Sequence, residues 1–296
     1  MTSESHSAAR LILGTAQFGL GYGIANRSGQ IERNDARHIL QLAHARGLRT
    51  IDTAAAYGDS EQRLGELDLY GWFVISKISA VPNDVSDVGR WVRESVRSSL
   101  ARLKIPSLEG LLLHRPRQLM DPVGPVLYAA LLELKSELLV RKIGISIYDP
   151  GELDQLCRRY CFDIVQAPFN VVDRRLIDSG WLYRLREQGT ELHVRSVFLQ
   201  GLLLMTPETR PAQFSRWGDL WSNWHRWLER TGVTAMEACM GYALSFPEVD
   251  KVVFGVDSVN HIQQIFQAIG RSVPALPADL QRDDPDLINP SAWNRS

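Results

Sequence analysis

The sequence predicts a single-domain α/β protein of the (β/α)8 barrel class, and three observations predict it. Short apolar runs alternate with longer amphipathic stretches from Leu11 to Ala268, the rhythm of parallel strands joined by helical crossovers. The runs number eight, enough to close a barrel. The length of 296 residues exceeds the common single-domain range but suits a barrel of about 250 residues with extensions.

Strands are expected at Leu11–Gln17, Arg49–Ala54, Trp72–Ile78, Leu108–His114, Arg141–Ile147, Ile164–Phe169, Leu192–Val197 and Lys251–Val256. Between them, Asn34–Arg46, Val88–Arg102, Val126–Leu139, Asp149–Arg159, Leu176–Glu187 and Thr234–Leu244 repeat apolar residues at three and four, as one buried face of a helix requires. The rival architecture, an open doubly wound sheet, would carry Gly-x-Gly-x-x-Gly between its first strand and first helix. Here that place reads Gly19-Leu20-Gly21-Tyr22-Gly23, then Ala25-Asn26-Arg27-Ser28-Gly29. The spacing fails and the composition is that of a βα loop. Its glycines serve either as turns or for close approach of backbone to a ligand.

Residues 207–232 break the rhythm. Trp217, Trp221, Trp224 and Trp227 are spaced four, three and three, which is one helix face, packed on the barrel or walling a substrate pocket. The barrel is expected to occupy residues 11–270, with residues 1–10 flexible. The tail, residues 271–296, carries Pro274, Pro277, Pro285 and Pro290 and is expected to be irregular while packing on the barrel.

Composition narrows the partner. Lys and Arg number 33 against 34 Asp and Glu, so no basic field draws in nucleic acid or an anionic membrane. The opening MTSESHSAAR lacks the basic and apolar regions of a signal peptide, and no run of about 18 apolar residues is present, so the cytoplasm is expected. Cys157, Cys161 and Cys239 are an odd, sparse set that reads as reduced thiols. Cys157 and Cys161 sit four apart, but no neighbouring Cys or His completes a metal site, and no metal is expected. A small molecule is the expected partner.

A barrel places its active site at the C-terminal ends of the strands, and three consecutive strands end in polar groups. The second ends in Ile51-Asp52-Thr53-Ala54 and leads to Tyr57, the third in Ile75-Ser76-Lys77, the fourth in Leu111-Leu112-Leu113-His114. Hydride addition to a carbonyl builds negative charge on oxygen and needs a proton donor, and a free phenol is too weak an acid unless tuned. Lys77 beside Tyr57 would favour the phenolate, Asp52 would keep Lys77 charged, and His114 would orient the substrate oxygen.

The run Ile51-Asp52-Thr53-Ala54-Ala55-Ala56-Tyr57-Gly58-Asp59-Ser60-Glu61, then Ser76-Lys77, then Leu113-His114-Arg115-Pro116 resembles the Asp/Tyr/Lys/His tetrad motifs of the aldo-keto reductase family. The resemblance runs from Leu11 to about Ala268, taking in Leu13-Gly14-Thr15-Ala16-Gln17-Phe18-Gly19, Gly144-Ile145-Ser146 and Gln166-Ala167-Pro168-Phe169-Asn170. It implies an NAD(P)H-dependent oxidoreductase that interconverts carbonyl and alcohol, with the nucleotide extended across the strand ends. Gly14, Thr15, Ala16, Asp52, Ser146, Gln166 and the loop after the seventh strand (Arg195, Ser196, Phe198, Leu199, Gly201) would meet the nicotinamide half. The loop and helix after the eighth strand (Gly255, Val256, Asp257, Ser258, His261, Gln264) would meet the adenosine half, where helix amides suit a phosphate. Substrate would meet Tyr57 and His114, with Tyr22, Tyr148, Phe169 and some tryptophans as further pocket candidates. The opening segment resembles bacterial members associated with sugar and polysaccharide metabolism, which favours a sugar-derived or small aliphatic aldehyde.

Several positions depart from the family pattern. Ile147 stands where many members carry a carboxamide, and Arg195-Ser196 where an aromatic residue stacks on the nicotinamide. His261 aligns near an Arg that neutralises the 2′-phosphate of NADPH, Ile265 near an adenine-contacting Asn, and Asp257 adds a negative charge. NADPH is the cofactor the resemblance implies. NADH is the alternative these departures raise, unless Arg271 or another basic residue serves the phosphate. A Schiff-base enzyme using Lys77 is opposed by the paired Asp52. A short-chain dehydrogenase needs Tyr-x-x-x-Lys, which is absent. A cofactor-binding regulatory protein of the same fold is the non-enzyme alternative.

Overall fold

The computed structural model describes residues 8–295. Eight parallel strands, β1 (Leu11–Gly14), β2 (Thr50–Asp52), β3 (Phe73–Ile78), β4 (Leu108–Leu113), β5 (Val140–Ser146), β6 (Ile164–Pro168), β7 (Glu191–Arg195) and β8 (Lys251–Gly255), close into a barrel in chain order. The last pairing joins the two ends of the sheet, with Leu11 opposite Val252 and Gly14 opposite Gly255. The main helices are α1 (Arg33–Ala45), α2 (Val88–Leu103), α3 (Gly124–Ser136), α4 (Leu153–Arg159), α5 (Trp181–Glu187), α6 (Gly218–Thr231), α7 (Ala235–Leu244) and α8 (Val259–Ala268). With the outward faces of the strands they generate one continuous core, to which the buried residues of α6 also belong. A second, smaller core of Ile12, Ile75, Leu112, Ile164 and Val253 fills the barrel itself, which is therefore packed and not a pore.

Every expected strand is present, with shifted ends. The largest correction is at the first, which stops at Gly14 and not at Gln17. The Thr15 amide makes the last ladder bond, to the Asp52 carbonyl at 3.0 Å, which the Thr15 hydroxyl also reaches at 3.0 Å, and Ala16–Gly19 then forms one helical turn. The helix expected at Asp149–Arg159 divides at a capping box between Asp149 and Glu152. The one expected at Leu176–Glu187 breaks at Gly180, whose φ of 74° is left-handed.

Residues 1–7 of the expected flexible start lie outside the described residues. Ala8 is buried, and the Arg10 guanidinium donates to the carbonyls of Leu244, Phe246 and Val249 at 2.6–2.8 Å. The tail contains short helical turns at Ala278–Leu280, Pro285–Ile288 and Pro290–Arg295. It packs through buried Leu280, Leu287 and Ile288, and through Trp293 edge-on to Phe214. The four tryptophans do share one face at α6, and all four are buried. Trp217, Trp221 and Trp224 donate to Asp284, the Phe214 carbonyl and the Leu203 carbonyl. They bind α6 to the chain beneath it and are absent from the lining of the cavity at the C-terminal mouth of the barrel, as is Phe169, which is fully buried and stacks on Tyr242 at 5.2 Å.

At the N-terminal mouth, Lys142 bridges Glu109 and Glu191 at 3.1 and 2.8 Å, and the His193 ring meets Glu191 at 3.3 Å. The imidazole contact and then Lys142 hold the Glu191 carboxyl down at about 2, against the opposing effect of burial. Higher in the barrel, a Cβ on Gly144 would lie 2.2 Å from the Ile164 carbonyl oxygen and 2.7 Å from a Leu112 methyl. Only hydrogen at Gly144 lets β5 lie against β6 while Leu112 and Ile164 fill the interior. Gly144→Ala is expected to destabilise the barrel by about 1–3 kcal/mol, the range of overpacked cores; thermal denaturation of the variant beside the parent protein checks it, and an unchanged Tm contradicts it.

Candidate active site

The C-terminal ends of β2, β3, β5 and β6 meet in a buried chain of polar contacts. The Lys77 ammonium, 1% exposed, donates to Asp52 Oδ1, to the Thr53 carbonyl at 3.1 Å and to the Tyr57 hydroxyl at 3.4 Å. Gln166 Nε2 donates to Asp52 Oδ2 at 2.7 Å, and Ser146 Oγ donates to Gln166 Oε1 at 3.3 Å. Both carboxylate oxygens and all three ammonium protons thus have partners, the condition under which a buried ion pair is tolerated. Burial by itself lowers the pKa of Lys77, but Asp52 and then Tyr57 overcome it and raise the group above its ordinary value. The amine stays an ammonium and lacks the lone pair that a Schiff base needs.

Tyr57 is placed by its loop. The amides of Thr53 and Ala55 donate to the Ile75 and Lys77 carbonyls at 2.8 and 3.0 Å, and the chain then turns through Ala54 to Tyr57. Gly19 and Gly58 let this loop lie against the loop after β1. A Cβ on Gly19 would fall 1.8 Å from the Tyr57 carbonyl oxygen, and one on Gly58, at φ 55°, 2.3 Å from the Gly19 carbonyl oxygen. The close approach foreseen for the glycine-rich loop is, at Gly19, an approach to the Tyr57 backbone. Gly23, at φ 110°, is the turn.

The His114 ring stands edge-on to Tyr57, centroids 5.9 Å apart. Burial, then the charges of Lys77 and Arg195, bring its pKa down to about 4, so the imidazole is neutral at physiological pH. Beside it the Arg195 guanidinium lies 4.7 Å over the Tyr148 ring, donating to the Ile147 carbonyl at 2.8 Å and to Ser196 Oγ at 3.1 Å. Ile147 is fully buried and offers its carbonyl only.

These groups line one cavity of about 330 Å³, within the range of small-molecule sites. Tyr57, His114, Tyr22 and Tyr148 all face it, and Lys77 lies beneath its floor. The lining also includes Gly14, Thr15, Ala16, Asp52, Ser146 and Gln166 at the strand ends, Arg195, Ser196, Phe198 and Gly201 after β7, and Gly255, Val256, Asp257 and His261 after β8. Of the residues expected to meet the nucleotide, three do not line it. Leu199 is in the core, Ser258 accepts from the His261 amide as the cap of α8, and Gln264 is exposed on that helix.

Sequence reasoning missed Gln17, Asn26, Gln200, Val253 and Phe254, which do line the cavity. Gln17 was hidden by the strand expected there; its amide packs on Gly255, where a Cβ would meet it at 2.7 Å. Gln200 donates to the Tyr22 hydroxyl at 3.1 Å from a left-handed conformation, φ 54°, which no sequence signal marks.

At the β8 end, Asp257 accepts from Ser258 Oγ at 3.1 Å and sits 3.1 Å from His261 Nδ1. The His261 contact, acting against burial, holds its carboxyl below the usual range. His261 Nε2 is buried without a partner among the described residues. Arg271 pairs with Glu237 at 3.0 Å on the surface, away from the cavity lining. Among the described residues no group of three or more His, Cys, Asp or Glu has metal-binding geometry, and Cys161 lies past the end of α4.

Residues 10–276 match the profile of the Aldo/keto reductase family. The chain belongs to the aldo-keto reductase family. This aldo-keto reductase is accordingly an NAD(P)H-dependent oxidoreductase. It is 24% identical to the uncharacterised oxidoreductase YqkF of Bacillus subtilis, over 86% of this chain and 89% of that one. It is also 24% identical to the NADH-specific methylglyoxal reductase of Escherichia coli, over 93% and 94%. Among solved structures, the holo form of the aldo-keto reductase AKR11C1 from Bacillus halodurans superposes with a TM-score of 0.69 at 20% identity, over 92% and 89% of the chains, a likeness of fold. No helix among the described residues of the reductase is long and apolar enough to cross a membrane.

The depressed His114 pKa has a kinetic consequence. Because the imidazole gains its proton only near pH 4, it contributes no break to the pH profile of kcat/KM between pH 5 and 8. The NMR titration of its Cε1 proton, assigned with His114→Asn, reads the value directly; a midpoint above 6 contradicts the geometry.

Proposed function

We propose that this enzyme reduces an aldehyde or ketone to the alcohol with Tyr57 as the general acid, and that NADH is its preferred cofactor. The observation that carries the first part is the contact of the Tyr57 hydroxyl with a fully buried ammonium, on the wall of a cavity that His114 shares. A bound nicotinamide nucleotide supplies the hydride. As charge grows on the carbonyl oxygen, Tyr57 transfers its phenolic proton to it. The ammonium of Lys77 stabilises the phenolate that remains, while Asp52, fixed by Gln166, keeps that ammonium in place. Neutral His114 directs a ring nitrogen at the substrate oxygen and holds it toward Tyr57. Oxidation of an alcohol runs through the same groups in reverse, with Tyr57 as base.

The polar groups of Ser146 and Gln166 on the cavity floor suit the nicotinamide carboxamide, and the unpartnered His261 Nε2 suits a donor or acceptor of the adenosine half. A 2′-phosphate fits poorly. Asp257 stands on that wall, and Arg271, the first Lys or Arg that follows it in the sequence, is engaged by Glu237. The name of the Escherichia coli relative, an NADH-specific reductase, points the same way.

Tyr57→Phe is expected to lower kcat by about 10²–10⁴-fold and to leave NADH binding, read by quenching of the native tryptophans, within a factor of about two. Lys77→Met should behave alike. Retained turnover in both removes the role assigned to Tyr57. In the same titration NADH is expected to bind at least about tenfold more tightly than NADPH, and His261→Arg to recover about tenfold in NADPH affinity through one charge-assisted contact. Tighter binding of NADPH by the unmodified protein would overturn the cofactor assignment.

A further inference from the structure

The charges around the substrate end of the cavity do not cancel. Lys77 is neutralised by Asp52, whose two oxygens are both engaged. Arg195 is not neutralised: its guanidinium donates to a carbonyl and a hydroxyl, and it forms no ion pair with a carboxylate among the described residues. Arg115, on the loop after β4, stands 5.5 Å over the same Tyr148 ring and likewise pairs with no described carboxylate. The nearest acids on the Tyr148 loop are already committed. Asp149 pairs with Arg175 at 3.0 Å, and Glu152 accepts the amides of Tyr148 and Asp149 while its other oxygen faces Arg117. The wall shared by Tyr148, His114 and Tyr22 therefore carries excess positive charge.

Arg195 is also held in place. Its neighbour Ser196, the acceptor of one of its bonds, sits at φ 62°, a conformation that costs a non-glycine residue free energy and persists only when the surroundings impose it. The side chain of Asn170, itself fully buried, imposes it by donating to the Ser196 carbonyl at 3.1 Å. Stacking on Tyr148 fixes the plane of the guanidinium. Two of its five N–H groups have partners, and the remainder are free to meet two oxygens side by side, the geometry for which a guanidinium fork is suited.

We propose that Arg195, with Arg115 adding charge behind it, forms an anion subsite, and that the physiological substrate is a carbonyl compound bearing its own carboxylate or phosphate. This rests on the carbonyl-reductase reading for the identity of the reacting group, while the charge selectivity stands on the arrangement of Arg195. Arg195 is a specificity determinant that anchors the far end of the substrate; Tyr57 and His114 act on its carbonyl.

The test uses matched probes. Succinic semialdehyde and its methyl ester differ by one charge, and glyceraldehyde 3-phosphate and glyceraldehyde by nearly two. Each is titrated calorimetrically into the protein saturated with NAD⁺, which cannot donate hydride, and then assayed for turnover with NADH. The acid is expected to bind at least about tenfold more tightly than its ester, as one charge-assisted bond gives, with a preference that weakens as ionic strength rises. In Arg195→Gln the ratio of acid to ester should fall to near one, and Arg195→Lys should retain part of it. Selectivity in the phosphate pair alone would assign the subsite to phosphoryl groups. Equal binding of charged and neutral partners in both pairs by the unmodified protein, or a loss in Arg195→Gln that falls equally on both partners together with weakened NADH binding, overturns the proposal. A protein that binds the anion selectively but reduces none of the four keeps the subsite and loses the reductase reading.

Discussion

One ion pair constrains the rest of the site: Lys77 with Asp52, both almost wholly removed from water. Two charges in such a place are stable only if their remaining hydrogen-bonding capacity is met. Meeting it recruits the Thr53 carbonyl, the Tyr57 hydroxyl, Gln166 and, through Gln166, Ser146. Four strands are thereby held to a common level at the top of the barrel. Burial, and after it the same ammonium and Arg195, keeps His114 neutral. One buried ion pair thus fixes the position of one side chain and adds to what burial does to the protonation of another.

The barrel was legible in the sequence because strands buried on both faces read as continuous apolar runs, and eight of them appear with helical stretches between. The catalytic candidates were legible because Asp52, Lys77 and His114 each end such a run, where an apolar residue would otherwise serve. The fates of Thr15 and Gln17 were not legible. Whether Thr15 continues the strand or turns away depends on contacts with the neighbouring strand β2, distant in sequence, whose Asp52 carbonyl accepts from it.

The roof of the cavity was obscure for a similar reason. Tyr22 and Gln200 face each other only because the loops after β1 and β7 meet. Those loops meet because Gly201 has no side chain to strike Ala25, where a Cβ would fall 2.4 Å from the alanine methyl. Local propensity has no access to such pairings. The tryptophan face of α6 illustrates the opposite case. Its periodicity was plain, but periodicity shows that a face is buried and not what it is buried against, and here that is the preceding loop and the tail.

The pairing of β1 with β8 carries a consequence for how the chain reaches this structure. Strand β1 is made first and β8 near the end, so during synthesis the growing sheet keeps two open edges until the last strand emerges. Contacts between such distant segments form slowly, because the intervening chain must be ordered before they can hold. Exposed parallel edges invite pairing with other chains in that interval. Arg10 becomes important here. Its three bonds to carbonyls between Leu244 and Val249 tie the start of β1 to the segment that leads into β8, so the latch on the seam is assembled from the segments that arrive first and last.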